Sequence, residues 1–467
     1  MKDDGLTSGA SLTNQELLFL ASLSIGELSI VVIAATLYMK GSRPFDGFLT
    51  SQPGMTFLCA TTTLFSAGGF LIHQYLGSRR TPSLRFALIA GMNLMTVVLL
   101  AVTGEFIVRA GSIPYPYGDV FASRPLNPKS WDRLKHRYQQ HIEKADGDLS
   151  YIVYDNQLGW TVGPERRSAN GLYFSSSRGT RIADPDMPLT RSEGRTEIAL
   201  VGDSFTFAEE VKYEESWGFH LGQMLGDKFQ LLNYGVPCYG VDQAYLRYQK
   251  DVIQRKPKIV LFGLISHDLV RTMWVYPFLA VPHWDWPFSK PRLIVRDSEL
   301  TTINVPTLSP TEIFAHNSPS ELPFLSHHQP SYRQSEWEAG SLHFSYLFRL
   351  FSTMYPQWRV DPISDTLAVN SAIIQSFVRS ATEAGSIPVL IYFPSKVDFS
   401  NPSTHPTGKQ MLQNVGLPFI DPTPCLLELN PTDRFLVDHY SPAGNAAVAK
   451  CLYQSLHKML GQASIDS

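Results

Sequence analysis

A short apolar run that ends in polar residues stands at positions 197–205, with the sequence EIALVGDSF. Its length predicts a buried β-strand over Glu197–Val201. A helical stretch follows at once, so we expect Ser204 at the junction of a strand and a helix. Its hydroxyl would then be exposed at the carboxyl edge of a sheet, near helix N-terminal amides that stabilise negative charge. Alone, Gly-Asp-Ser is a weak signal, because Asp and Ser also cap helices.

The residues on either side of this run alternate short apolar stretches with amphipathic helical patterns. Helical stripes begin near Trp217, Val241 and Val369, and Ser441-Pro442 reads as the start of a last helix. Such alternation is typical of βαβ units and a parallel sheet, so residues 195–467 are predicted to form a doubly wound α/β domain. The predicted strands are Glu197–Val201, Gln230–Tyr234, Lys258–Gly263, Pro388–Phe393 and Pro418–Ile420.

A segment rich in Pro, Trp, Ser and Thr interrupts the alternation at residues 271–342. It contains WVYPFLAVPHWDWPF and a predicted hairpin, KPRLIVRDSELTTINVP. Insertions after a strand of such a sheet lie at the carboxyl edge, where ligands bind, so this one is a candidate lid or substrate platform. Its aromatic side chains either stack on sugar rings or form the insertion's own small core. Both interpretations remain open from the sequence.

A second polar motif lies near the end of the chain, where Asp438-His439-Tyr440-Ser441-Pro442 precedes the last helix. An imidazole next to a carboxylate supplies a general base and an acid to orient it. With Ser204 the two motifs provide a nucleophile, a base and an orienting acid at one α/β domain.

These motifs, together with Asn233-Tyr234-Gly235-Val236 and Ser266-His267-Asp268-Leu269, resemble the four blocks of SGNH (GDSL-like) hydrolases. The resemblance spans about Arg195 to His457 and is similar to the membrane-anchored bacterial type. It implies a three-layer α/β/α flavodoxin-like domain with a parallel sheet.

The resemblance also implies residue roles. Ser204 would be the nucleophile and His439 its general base, and the backbone amides of Ser204 and Gly235 would contribute to the oxyanion hole. The third block departs from the family, since His267 stands where the family has Asn and Ile265 where it has Gly. An imidazole N–H can donate to an oxyanion, so His267 is predicted to take the role of the Asn.

The acid of the last block is displaced as well. The family's acid commonly precedes the His by two or three residues, where this chain has Val437 and Leu436. We therefore expect Asp438 to orient His439, provided that the chain turns there, because neighbours on an extended segment point to opposite sides. Asp433 is the reserve candidate, and a Ser-His dyad without an acid is the remaining alternative.

Three apolar runs near the N-terminus predict a membrane anchor over residues 1–110, with spans at 17–39, 55–76 and 86–108. Each is long enough to cross a hydrocarbon core of about 30 Å at about 1.5 Å per residue. Arg79, Arg80 and Arg85 in the second connection favour an orientation with the large domain extracytoplasmic, on the outer side of a bacterial inner membrane. Residues 111–194 are predicted to be a linker and lead-in segment. Its helical stripe at Trp131, Leu134, Tyr138 and Ile142 either packs on its own domain or lies on the bilayer surface.

The composition excludes other classes of function. The formal net charge is −3, and no nucleic-acid-binding motif is readable, so nucleic acid is not an expected partner. Four cysteines without a CxxC motif support neither a disulfide scaffold nor an all-cysteine zinc site, and no His cluster has metal-site spacing. No cofactor and no metal are expected.

The functional expectation is a membrane-anchored serine esterase or O-acyltransferase. It would act on acyl esters, acetyl above all, of cell-surface carbohydrate through an acyl-Ser204 intermediate, with a membrane acyltransferase as a candidate partner. One alternative is a catalytically silent member that binds glycan or a membrane partner. Another is a lipase or lysophospholipase, which predicts a preference for long acyl chains.

Overall fold

The computed structural model describes residues 82–144, 151–184, 194–281, 284, 286–354, 363–400 and 406–463. The chain divides into two compact units, Met1–Ser130 with Ser335–Gln357, and Trp131–Gln334 with Trp358–Ser467. The division falls inside the predicted linker 111–194, which contributes to both units. The predicted domain boundaries remain predictions.

The strands of the described residues are short. They are β1 (Ile113–Tyr115), β2 (Gly118–Phe121), β3 (Arg124–Pro125), β4 (Ile152–Asp155), β5 (Gly159–Val162), β6 (Phe174–Ser175), β7 (Arg181–Ile182), β8 (Thr196–Val201), β9 (Phe229–Asn233), β10 (Ile259–Leu264), β11 (Arg292–Arg296), β12 (Glu299–Ile303), β13 (Ile387–Tyr392) and β14 (Phe419–Ile420).

The α-helices range from single turns to long rods. They are α1 (Pro82–Gly111), α2 (Trp131–Lys144), α3 (Ser204–Phe207), α4 (Trp217–Leu225), α5 (Val241–Arg247), α6 (Ser266–Arg271), α7 (Pro277–Ala280), α8 (Pro310–Ile313), α9 (Leu325–His328), α10 (Tyr346–Met354), α11 (Ile363–Glu383), α12 (Lys396–Ser400), α13 (Thr407–Val415), α14 (Thr423–Leu427) and α15 (Pro442–Ala463). A π-helical turn, Tyr248–Val252, continues α5.

The main sheet of the second unit has the order β14-β13-β10-β8-β9-β7-β6. The strands from β14 to β9 run parallel, in the order that flavodoxin-like folds adopt, whereas β7 and β6 pair antiparallel at one edge. The α/β class is thus as predicted, but the sheet is mixed rather than wholly parallel. The additional edge strands come from the segment predicted as linker and are only two residues each.

Both faces of this sheet are covered. Alternate residues of β8 and β10 face opposite sides: Ala199 and Val260 join a core with α5 and α11, while Ile198 and Leu261 join another with α4 and α15. Because strand side chains alternate between faces, a strand buried on both sides is apolar throughout, as β10 is. The sheet is the middle layer of three.

The insertion after β10 contains the predicted hairpin, formed by β11 and β12. Its aromatic side chains are mostly buried, including Trp274, Tyr276, Trp286 and Phe288. This burial favours the interpretation that they form the insertion's own core. The stripe on α2 also packs within its own unit, where Tyr138 contacts Phe278 at 5.5 Å between ring centroids.

The first unit contains α1, the antiparallel sheet β1-β2-β3 and α10. Its small core consists of Val108, Phe121, Leu126 and Leu350. The predicted spans 17–39 and 55–76 lie outside the described residues, as does Glu27, and the third lies within α1. Among the described residues, no helix combines the length and the apolar character that crossing a membrane requires.

Cys425 of α14 and Cys451 of α15 form a disulfide, and Cys238 is a free cysteine. The sequence predicted no disulfide scaffold, and it gave no signal for this single bridge because the two cysteines are separated by 26 residues. The fold brings them together where the last helix packs on α14. Cys59 lies outside the described residues.

Candidate active site

Ser204 begins α3 shortly after β8, a parallel strand that lies between β10 and β9 in the sheet. Asp203 caps this helix, since its Oδ1 accepts hydrogen bonds from the amides of Phe205 (3.0 Å) and Thr206 (3.4 Å). Gly202 has a φ of +156°, and a Cβ added there would lie 2.1 Å from Thr206 Oγ1, so the sharp turn requires glycine. The turn places Ser204 at the carboxyl edge of the sheet.

His439 contacts Ser204 directly. The imidazole Nε2 lies 2.8 Å from Ser204 Oγ, which is hydrogen-bonding distance, across 235 positions of sequence. On the other side of the ring, Nδ1 lies 2.9 Å from Oε1 of Glu210. A neutral His439 that donates from Nδ1 to Glu210 leaves the Nε2 lone pair free to accept the Ser204 proton.

Glu210 also holds the chain segment that carries His439. Its carboxylate accepts hydrogen bonds from the amides of Val437 (2.9 Å) and Asp438 (3.1 Å). Its own amide donates to the hydroxyl of Tyr173 at 2.9 Å. Glu210 is therefore anchored on the segment after α3 and fixes both the imidazole ring and the backbone before it.

The pKa values of this pair shift in the direction of an ion pair. Burial alone would raise the pKa of Glu210, but the hydrogen bonds from His439 and from the amides of Asp438 and Val437 outweigh it and lower the pKa to about 2. Burial alone would lower the pKa of His439, but the hydrogen bond to Glu210 and the charges of Glu209, Glu210 and Asp203 raise it above its ordinary value.

The orienting acid is where the structure differs most from the sequence prediction. Asp438 is exposed, and its amide, not its carboxylate, takes part in the site. The chain does turn here, with the Leu436 amide donating to the His439 carbonyl at 2.8 Å, but the turn leaves Asp438 on its outer side. Asp433 is also exposed and accepts from Asn430. In the structure, the acid that contacts Nδ1 of His439 is Glu210.

Glu210 was missed because it is 229 positions away from His439 in the sequence. The predicted acid, Asp438, is instead the neighbour of His439 in the chain. The available signal was the Glu209-Glu210 pair that closely follows Ser204. A carboxylate on the loop after a nucleophile-bearing turn lies at the same edge of the sheet as the nucleophile.

The two backbone amides predicted to bind an oxyanion differ in whether a hydrogen-bond acceptor already occupies them. The Ser204 amide has no hydrogen-bond acceptor among the described residues, so it remains available to an oxyanion. The Gly235 amide donates to Oδ1 of Asn233 at 2.9 Å and is therefore occupied. The reason is local: the Asn233 side chain folds back onto the chain two residues on, as Asn commonly does in turns. Gly235 must exchange this partner before it can bind an oxyanion.

His267 lies at the start of α6, at the carboxyl end of β10, next to the strand that carries Ser204. The residue is exposed, and its ring meets Trp274 edge-on at 5.8 Å between centroids. Part of the ring is shielded by this contact, and the resulting loss of solvation, together with the charge of Arg271, lowers the pKa of His267 to about 4. A neutral imidazole at this edge can donate one N–H, so the predicted oxyanion role stays a prediction.

Two buried acidic residues, Asp203 and Asp268, stabilise the turns around the site. Asp268 accepts from the Ile265 amide at 3.0 Å and from Arg271 at 2.8 Å, which makes it a cap of α6. Arg271 Nη1 also lies 3.7 Å from Asp203 Oδ2. Burial raises the pKa of Asp203, and burial together with the charge of Asp203 raises that of Asp268. These groups hold the turns that present Ser204 and His267.

Within the residues that the structure describes, no cluster of three or more His, Cys, Asp or Glu side chains could hold a metal ion. The arrangement at Ser204 can instead perform nucleophilic chemistry with side chains alone. A serine hydroxyl hydrogen-bonded to an imidazole that is oriented by a carboxylate attacks carbonyl carbon and forms a covalent acyl intermediate.

Comparison with known proteins gives likenesses at the level of structure only. No family model and no curated protein matches the chain. A lipolytic protein of the G-D-S-L family from Desulfitobacterium hafniense aligns with 56% of this chain and 99% of its own, at 13% identity and a TM-score of 0.28. A catalytic mutant of an acetylxylan esterase from Geobacillus stearothermophilus aligns with 56% of this chain and 93% of its own, at 15% identity and a TM-score of 0.30.

A two-domain esterase active on acetylated mannans aligns with 56% of this chain and 49% of its own, at 12% identity and a TM-score of 0.29. These three solved structures are described as a lipolytic protein and two esterases. Identities and TM-scores this low do not transfer an activity. The geometry of the site therefore has to carry the functional argument.

Proposed function

We propose that this protein is a serine esterase or O-acyltransferase that works through an acyl-Ser204 intermediate. The observation that carries the proposal is the continuous hydrogen-bond chain from Ser204 Oγ through His439 to Glu210. Residues far apart in sequence converge there with the separations that general-base activation of a serine needs.

The proposed reaction has two halves. Ser204 Oγ attacks the ester carbonyl while its proton passes to His439 Nε2, and the same proton then leaves with the alcohol. A second hydroxyl, of water or of a sugar, loses its proton to Nε2 and attacks the acyl carbon. The acyl–oxygen bond to Ser204 breaks, and Ser204 regains the proton from Nε2. Hydrolysis and acyl transfer use identical residues and differ only in the incoming hydroxyl.

The substrate class that we propose is an acyl ester, acetyl above all, of cell-surface carbohydrate. This part of the proposal rests on the sequence resemblance to membrane-anchored SGNH hydrolases. The proposed membrane attachment rests on the apolar runs at 17–39, 55–76 and 86–108. The proposed extracytoplasmic location of the large domain has separate support, because the Cys425–Cys451 disulfide is a feature of proteins in oxidising compartments.

A lipase is the second candidate, and a specific observation favours it. Leu436 and Val437, which immediately precede the Asp438-His439 motif, are exposed apolar residues, and so is Val397. Lys396 ties these segments together by donating to the Val437 carbonyl at 3.0 Å. An apolar surface beside the nucleophile would suit a long acyl chain. A rate that increases from acetyl to octanoyl esters supports this candidate, and a decrease supports the acetylesterase.

Release of p-nitrophenol from p-nitrophenyl acetate by the full-length protein tests the proposed chemistry. We expect turnover that disappears in Ser204→Ala, with Ser176→Ala, a buried serine elsewhere in the unit, as the matched control. Acetylated xylo-oligosaccharide, with and without an unacetylated acceptor, then distinguishes hydrolysis from transfer. No release from folded wild-type protein would favour the catalytically silent alternative.

A further inference from the structure

A second carboxylate lies beside the pair formed by Ser204 and His439. Oε2 of Glu209 is 3.5 Å from His439 Nε2, the same nitrogen that lies 2.8 Å from Ser204 Oγ. The backbone fixes this position, because the Glu209 amide donates to the Ser204 carbonyl at 3.0 Å. The residues on either side, Ala208 and Glu210, both have positive φ, so the turn points consecutive glutamates at the two nitrogens of one ring.

Glu209 is not needed to orient the imidazole. Glu210 already binds Nδ1 and also holds the two amides before His439. A carboxylate near Nε2 instead lies on the side of the ring where protons are exchanged. Its distance from Nε2 relates Glu209 to the groups that approach this nitrogen during the reaction.

The two atoms are close enough for one oxygen atom, placed to the side of the line that joins them, to bind both. With 3.5 Å between Glu209 Oε2 and His439 Nε2, a single water or hydroxyl oxygen can lie at about 2.8 Å from both. Water in that position donates one hydrogen to Nε2 and the other to Oε2. Its lone pair then faces Ser204, the atom that carries the acyl group in the intermediate.

We propose that Glu209 binds and orients the hydroxyl that attacks the acyl-Ser204 intermediate, a role that rests on the proposed function. In this step the proton that leaves the attacking oxygen goes to His439 Nε2 and then to Ser204 Oγ as the acyl–oxygen bond breaks. Glu209 accepts a hydrogen bond throughout and does not take the proton. When the acceptor is a sugar, a neighbouring hydroxyl of the same ring supplies the hydrogen bond to Glu209.

The proposal predicts a selective defect in Glu209→Gln. Glutamine keeps the size of the side chain but offers a weaker acceptor than a carboxylate. Acylation does not use the incoming hydroxyl, so at a pH above the midpoint of His439 the rate of the p-nitrophenol burst should change less than about twofold. Decay of the acetyl-enzyme should slow by about tenfold or more, with kcat and KM falling together and kcat/KM nearly constant.

The experiment combines stopped-flow release of p-nitrophenol with intact-mass detection of acetyl-enzyme after rapid quenching. Glu214→Gln is the matched control, because Glu214 is exposed on the same segment, and it should behave as wild type. Glu209→Asp, which keeps the charge, should recover part of the deacylation rate. Thermal melting of each variant verifies that the fold is intact.

Two results would overturn the proposal. A slower burst with a fall in kcat/KM in Glu209→Gln would place Glu209 in acylation, or in the fold if thermal melting also changes, and unchanged acetyl-enzyme decay would give it no part in the reaction. If wild-type protein shows no burst that depends on Ser204, the proposed function itself fails, and the role of Glu209 fails with it. That outcome differs from the first two because it is visible before any Glu209 variant is measured.

Discussion

Ser204 is a weak nucleophile unless a neighbouring base removes its proton, and the residues around it provide that base. The imidazole of His439 is held at both ends, by Ser204 at 2.8 Å and by Glu210 at 2.9 Å. Glu210 is half-buried, with 23% of its side chain exposed, so water screens its charge on the imidazolium only in part. Ser204 and Glu210 lie on one short segment, and His439 reaches them from a segment more than 200 positions away.

Two substitutions test whether Glu210 or Asp438 is the acid that orients His439. Glu210→Gln should lower kcat/KM by about 100- to 10,000-fold, because an amide neither stabilises the imidazolium nor enforces the tautomer with hydrogen on Nδ1. Asp438→Asn should change it by less than about threefold, since only the backbone of Asp438 contacts the site. Steady-state kinetics on p-nitrophenyl acetate measures both. The reverse order of effects would restore the sequence prediction.

The pH dependence follows from the state of His439. The base must be neutral to accept a proton, so kcat/KM should increase with pH through the pKa of His439. Glu210, Glu209 and Asp203 raise that pKa, which puts the midpoint above the ordinary value of about 6.5. Glu209→Gln removes one negative charge and should move the midpoint to lower pH. A pH profile of kcat/KM for both proteins checks this, and an unmoved midpoint would contradict the electrostatic account.

At the scale of residues, the sequence indicated the type of chemistry but did not identify every residue that takes part in it. Ser204 and His439 were identified because each sits beside a recognisable turn or helix start. Glu210 was not, because its partner His439 is 229 positions away and the only local signal is its place shortly after Ser204. The Gly235 amide was expected to be open, but a side chain two residues earlier occupies it. Side-chain hydrogen bonds of this kind depend on rotamers that the sequence pattern does not fix.

At the scale of elements, the segment that carries His439 is held at both of its ends. Cys425 and Cys451 join α14 to α15, and His439 lies between them. An antiparallel bridge between Phe435 and Tyr440 closes the turn inside this segment. The segment has few residues in regular structure before α15, so these links limit how far the imidazole can move from Ser204.

The disulfide should contribute to stability. Closing a loop of this length lowers the entropy of the unfolded chain, and typical bridges contribute about 2 to 4 kcal/mol. The Cys425→Ser/Cys451→Ser variant should lower the free energy of unfolding by that amount, as measured by urea denaturation. Cys238→Ser, which removes the free cysteine, is the control. Equal stability of the double variant and wild type would contradict the structural role.

The strands show what periodicity can predict. All of the predicted strands form within about one residue of their expected ends, because buried apolar runs bounded by turn residues leave little choice of structure. The edge strands β6 and β7 were missed because two residues carry no periodic signal. The insertion's aromatics could not be assigned in advance, since a ring buried in a core and a ring that stacks on a sugar look alike in sequence.

For the molecule as a whole, the parallel order of the central strands explains why distant motifs meet. Carboxyl ends of parallel strands share one edge of the sheet, so the turn after β8 and the loop before α15 converge there. The sequence placed both motifs at one α/β domain, and the resemblance to SGNH hydrolases implied that Ser204 and His439 act together. It could not predict how the chain divides into units, because the segment 335–357 joins residues much earlier in the chain.

The proposed location of the protein can be tested on the full chain expressed in bacteria. We expect it in the membrane fraction after a carbonate wash, because the apolar runs before residue 110 are long enough to span a bilayer. Protease added to spheroplasts should digest the large domain, and the Cys425–Cys451 pair should be oxidised on non-reducing gels. Release by carbonate, or protection of the large domain until cells are lysed, would contradict this location.

The central claim, that Ser204, His439 and Glu210 act as one unit, is tested most directly by covalent labelling with a fluorophosphonate. The label should attach to Ser204 as shown by peptide mass spectrometry, should be absent in Ser204→Ala, and should form about 100-fold or more slowly in Glu210→Gln than in Asp438→Asn. Labelling of another residue in the folded protein, or equal rates in the last two variants, would contradict it.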